Sequence, residues 1–167
     1  MNDGGLIGIF LQNLPVLVVV IPLLLAPILA IITAPRVAWV VSVAGVGSAF
    51  LAAILLQSIT ESVGRITYHL GNWEPPWGIE FVVDSATSLT LVIMTGLAFL
   101  ATLYARASLM AEIKSADLGK CYAAWLLASG GLFGLVATGD AFNLFVFLEI
   151  SALSSVILIS MGAGVDR

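Results

Sequence analysis

Charge spacing constrains this chain more than any other feature. Residues 4 to 35 contain no charged side chain, and neither do 37 to 60, 85 to 105 or 121 to 139. A fifth run, 141 to 165, is interrupted only by Glu149. Crossing a hydrocarbon core of about 30 Å takes about 20 helical residues, and the runs match that length. Only 10% of the 167 residues are charged and 60% are hydrophobic, against roughly 25% charged in soluble domains. A soluble core cannot cover so much apolar surface. The expected fold is therefore all-α: one polytopic membrane domain over 1–167 with five transmembrane helices, near 12–34, 37–58, 82–104, 120–138 and 141–162. Loops are expected at 59–81 and 105–119.

Alternating helices put Arg36, Arg106, Lys114, Lys120 and Arg167 on one side and Arg65 alone on the other. Basic residues favour the cytoplasmic side, so the amino terminus is expected outside and the carboxyl terminus inside a plasma (inner) membrane. The first run follows Asp3 rather than a basic segment and is long, so it reads as a retained span and not as a cleaved signal. Pro15, Pro22 and Pro27 within it remove backbone donors and are expected to kink it. Small residues four apart, Ala44, Ser48 and Ala52 in the second helix and Gly130 and Gly134 in the fourth, read as close helix contacts.

Several function classes fall away. A net charge of −4 offers no basic surface to nucleic acid. Cys121 alone forms neither an internal disulfide nor a cysteine-ligated cluster, and reads as a packing residue. His69 alone, among the aromatic residues of YHLGNWEPPWGIE, reads as a hydrogen-bonded loop residue, with no metal site and no cofactor expected. The prolines and glycines of that loop forbid a regular helix and predict an ordered loop or short hairpin. The stretch 105–118 is expected to be a polar connection holding a short interfacial helix, with Leu109, Met110 and Ile113 on one side. No nucleophile–base set or phosphate-binding glycine loop is visible, so no covalent chemistry is expected of the chain.

Glu149 stands out. From a helix start at Asp140 or Ala141 it lies roughly 12 to 13 Å along the axis, at ~1.5 Å per residue, near mid-membrane. A carboxylate there costs at least ~2.5 to 3.5 kcal/mol on insertion scales, whereas an interhelical hydrogen bond returns about 0.6 kcal/mol on average. The imbalance marks Glu149 as functional, a carboxylate visited by protons. Asp140 and Asp84 each begin a helix, where a carboxylate caps free amides. Asn143, one turn in, is a candidate link in a polar proton route from Asp140 toward Glu149.

GLFGLVATGDAFNLFVFLEISALSS resembles the fourth and fifth helices of the antiporter-like proton-conducting membrane subunits, above all the D subunit of Mrp-type multisubunit cation/proton antiporters. YHLGNWEPPWGIEFVVDSATSL resembles the loop and third-helix start of the same group, where an aspartate at the position of Asp84 is usual. The likeness extends over essentially the whole chain. It implies part of a many-helix fold of two inverted five-helix units inside a larger complex, with Glu149 as a proton-pathway carboxylate working with a lysine on a later, broken helix. This sequence ends at MGAGVDR after the fifth expected helix and has no lysine in the interior of an expected span. Either a second polypeptide supplies the later helices and the lysine, or the chain is a truncated product. Partners expected from the likeness are other membrane subunits, protons, and sodium or potassium. The alternatives are a subunit of a redox-driven pump related to complex I or an energy-converting hydrogenase, and a non-conducting assembly subunit.

Overall fold

The structure, a computed structural model, describes residues 11–73 and 77–162. Asp3, the EPP segment 74–76 and Arg167 lie outside the described residues, as does the side chain of Asn72. Among the described residues, five helices are long and apolar enough to cross a membrane: α1 Leu14–Ile31, α2 Pro35–Val63, α3 Ser85–Glu112, α4 Leu118–Ala137 and α5 Ala141–Gly162. A two-stranded antiparallel hairpin, β1 Ile66–His69 and β2 Glu80–Val83, joins α2 to α3.

Helix limits follow from local chemistry. Pro15 falls in the first turn of α1, where its missing amide would be unpaired in any case, while Pro22 and Pro27 lie inside the helix. The sequence reading stops α2 at 58, but the helix continues to Val63. Thr60 and Ser62 donate their hydroxyls back to the Gln57 and Ile59 carbonyls, and Gln57 donates to Glu61 at 2.8 Å, one turn on. Gly64, at φ +85°, then ends the helix. The separate interfacial helix expected within 105–118 does not form, because α3 runs unbroken to Glu112. Arg106 lies inside it, with its guanidinium 4.6 Å above the Trp39 ring, a cation–π contact that favours continuing the helix.

α4 is the centre of the bundle. It packs against α1 and α5 most closely and also meets α2 and α3, while α2 pairs with α1 and α3. Of its most apolar stretch 67% is buried, against 11% for α5. Glycine permits the closest approaches, but not as one stripe. A β-carbon at Gly130 would lie 2.8 Å from Leu23 of α1, and one at Gly134 would lie 2.5 Å from the Phe147 ring of α5. On α2, Ala44 is exposed; Gly45 faces Leu25 and Leu126 instead, and Gly47 faces Phe99. Spacing alone does not say which neighbour a small residue serves.

Two polar knots hold the ends. Away from the hairpin, buried Thr102 of α3 takes the Trp125 indole N–H of α4 on its Oγ1 at 2.9 Å, and its carbonyl takes the Trp39 indole N–H of α2 at 3.1 Å. Toward the hairpin, Ser88 Oγ meets Thr60 Oγ1 at 2.8 Å and donates to Gln57 Oε1 at 2.6 Å. These hydroxyls and indoles thus find partners inside the protein, as hydrocarbon surroundings demand, whereas the buried Ser42 hydroxyl has none among the described residues.

Candidate functional site

α5 begins with a set of polar contacts at the turn from α4. Asp140 Oδ1 accepts the Phe142 amide at 3.0 Å and its carbonyl accepts the Leu144 amide at 2.9 Å, so Asp140 caps the helix. Thr138 Oγ1 accepts from the Asp140 amide at 3.3 Å and from Asn143 Nδ2 at 3.2 Å. Asn143 is 4% exposed. Thr138, which draws Asp140 and Asn143 together, carries no signal in the sequence beyond its place in the ATGD turn.

The buried face of α5 comprises Asn143, Phe147, Ser151 and Ser154, three or four residues apart as one helix face requires. It lies on α4 where glycine leaves room: a β-carbon at Gly131 would come 2.9 Å from the Ser151 amide nitrogen. Ser154 and Ser155 donate their hydroxyls to the Ile150 and Ser151 carbonyls at 2.7 and 2.8 Å, within their own helix. Neither hydroxyl makes a hydrogen bond to Glu149.

Glu149 occupies the other side. Two residues beyond Phe147, it is turned about 200° from it at ~3.6 residues per turn. It is exposed, with Phe142, Phe145, Leu153 and Val156 exposed on the same side. Among the described residues it has no hydrogen-bond or ion-pair partner. A polar line from Asp140 through Asn143 to Glu149 does not form, since Asn143 faces α4 and Glu149 faces away.

The other candidates lie apart from Glu149. Asp84 caps α3, accepting the Thr87 amide at 2.8 Å. That backbone hydrogen bond, aided by the Thr87 side chain and by the field of Arg65, holds its pKa below the ordinary carboxylate value. His69 faces Glu80 across the hairpin with Nε2 3.3 Å from Oε1. Lys120, at the first turn of α4, falls within a helix after all, but pairs with Asp117 at 3.0 Å at the end of the bundle opposite the hairpin.

Comparison with known proteins assigns the arrangement. No protein-family model matches the sequence. The N subunit of NADH-quinone oxidoreductase from Desulforudis audaxviator is 36% identical over 153 residues, 90% of this chain and 30% of that protein. A probable K(+)/H(+) antiporter D subunit from Rhizobium meliloti is 36% identical over 118 residues, 68% of this chain and 21% of that protein. The chain belongs to the antiporter-like membrane subunits. Among solved structures, the Mrp complex from a Dietzia species superposes with a TM-score of 0.78 at 27% identity, over 90% of this chain and 27% of the matched one. The chain thus spans between 21% and 30% of the length of these three relatives, which fits a five-helix portion of the antiporter-like fold. It is a multi-pass membrane protein whose relatives sit in multisubunit membrane complexes.

Proposed function

We propose that this chain is a split or amino-terminal part of a membrane subunit of an Mrp-type cation/proton antiporter, with Glu149 on the proton pathway. The observation that carries the reading is the setting of Glu149: on a membrane-length helix, turned away from its own bundle, with no partner among the described residues. Facing hydrocarbon, the carboxylate costs at least ~2.5 kcal/mol, so protein or water must cover it. Helices beyond these five are the natural cover, because the relatives are more than three times longer than their matched stretch. In this reading those helices, whichever polypeptide carries them, bring an intramembrane lysine. Glu149 takes a proton from one side and releases it to the other as that lysine's charge or distance changes. The proton's passage is coupled to sodium or potassium moving the opposite way. The hairpin faces outward, and the end bearing Arg36, Arg106, Lys114 and Lys120 faces the cytoplasm.

A second reading, a subunit of a redox-driven proton pump, is favoured by the 36% identity over 90% of this chain to an NADH-quinone oxidoreductase subunit. The two readings share Glu149 and differ in the neighbouring subunits. Purifying the complex, identifying its other chains and measuring transport of Glu149→Gln separates them. Loss of proton coupling in Glu149→Gln supports the pathway role, and quinone-reducing or hydrogenase partners move the assignment to a pump. Unchanged coupling rejects the role of Glu149 and leaves an assembly subunit.

A further inference from the structure

We propose that β2 and the Thr138–Asp140 connector form a brace that sets the rotation of α5, and hence the direction in which Glu149 points, with Phe81 and Asn143 as its positioning residues. The inference rests on the pathway reading of Glu149 only for its functional consequence; the brace itself stands on contacts.

α5 packs on α4 and on little else in this chain, so few contacts oppose its turning about its own axis. Those at its start come from the hairpin end. β2 extends its pairing to the connector: Phe81 bridges Thr138, and the Gly139 amide donates to the Glu80 carbonyl at 2.9 Å. The approach is too close for a side chain, since a β-carbon at Gly139 would lie 2.3 Å from Val82 Cγ2. Phe81, 2% exposed, places its ring 6.2 Å from that of Phe147, which in turn fills the notch left by Gly134. Asn143 adds its hydrogen bond to Thr138. Phe147 and Asn143 are therefore held on the α4 side by contacts to one connector and one strand. Because helix geometry fixes Glu149 about 200° from Phe147, holding Phe147 aims the carboxylate. A segment at the membrane boundary thus orients a group half a helix away, and a small angular error at such a group is costly to proton transfer.

The test uses the complete complex in lipid. Spin labels are placed in turn at Ala152, Leu153 and Ser154 in a Cys121→Ser background, and their accessibility to oxygen reports the rotational phase of α5. Each is then combined with Phe81→Ala, Phe81→Leu, Asn143→Ala or Gly139→Ala. The brace predicts that Phe81→Ala and Gly139→Ala shift the phase, that Phe81→Leu largely restores it, and that transport by Phe81→Ala falls roughly 10- to 100-fold with an altered pH profile. An unchanged phase in assembled Phe81→Ala and Asn143→Ala complexes overturns the proposal. If Phe81→Ala does not assemble, Asn143→Ala and Gly139→Ala decide it by the same phase measurement. Normal transport by Glu149→Gln would reject the pathway role, and the phase shift would still decide for or against the brace.

Discussion

Asn143 and Glu149 leave the same helix in different directions: Asn143 is buried and donates to Thr138 at the end of α4, whereas Glu149 is exposed on a side lined by phenylalanines. The polar groups at the start of α5 therefore anchor the helix and do not lead to the carboxylate. On the proposed pathway, protons therefore reach Glu149 from outside these five helices.

Glu149→Leu should act oppositely in two settings. In the chain expressed alone, the substitution should favour membrane insertion of α5 by about 3 kcal/mol, read from the inserted fraction in a glycosylation-reporter assay. In the complete complex it should abolish proton-coupled transport. Equal insertion of both versions would mean the carboxylate is already satisfied within this chain.

Glycine substitutions should rank by what the new methyl group meets. At Gly119 it would lie 2.1 Å from the Ile32 carbonyl oxygen, a backbone atom that cannot swing aside, whereas at Gly130 it meets the flexible Leu23 side chain. Gly119→Ala should destabilise the bundle by about 1–3 kcal/mol net. Gly130→Ala should cost less, since Leu23 can swing aside and alanine's helix preference then offsets about 1 kcal/mol of what remains. Detergent-unfolding midpoints of the two variants check the order.

The Thr102 knot should show coupling. Trp125→Phe and Thr102→Val each remove the 2.9 Å indole–hydroxyl bond, and each should cost about 0.5–1.5 kcal/mol. The double variant should cost less than the sum, by about 0.6 kcal/mol as for other membrane hydrogen bonds. Strict additivity would show that the bond contributes nothing to stability.

Asp84 should confer a pH dependence on the first turn of α3. Its folded pKa is lowered from 3.8 by the Thr87 amide, so the unfolded form binds the proton more readily. The cap's contribution is present above the unfolded value and is lost as pH falls through the folded one. Hydrogen exchange of the Thr87 amide, corrected for intrinsic rate, should lose protection in that acidic window. Asp84→Asn should keep protection without the pH dependence, and Asp84→Ala should lose it at every pH.

The five spans are legible in the sequence because hydrocarbon tolerates so few charges that uncharged runs mark the crossings directly. The caps at Asp84 and Asp140 are legible because a short acidic side chain before an apolar run has few better uses. The outward aim of Glu149 is not, since α5 is apolar on every side and its periodicity names no buried face. Only contact with Gly131 and Gly134 selects Phe147 and Ser151 as inward, and only the hydrogen bond to Thr138 selects Asn143. The length of α3 is hidden for a related reason: Arg106 looks like a loop residue until Trp39, 67 positions earlier in sequence, supplies a ring beneath it. Residues that meet only in three dimensions leave no local pattern to read.

The sheathing of α4 bears on the order of biogenesis. It is the least hydropathic of the five membrane-length helices, and its neighbours, not lipid, surround most of it. During synthesis such a segment partitions reluctantly from the insertion machinery as a lone helix. α1, α2 and α3 emerge earlier and can wait beside the exit as a receiving cradle, so α4 settles into protein already in place and α5 closes over it afterward.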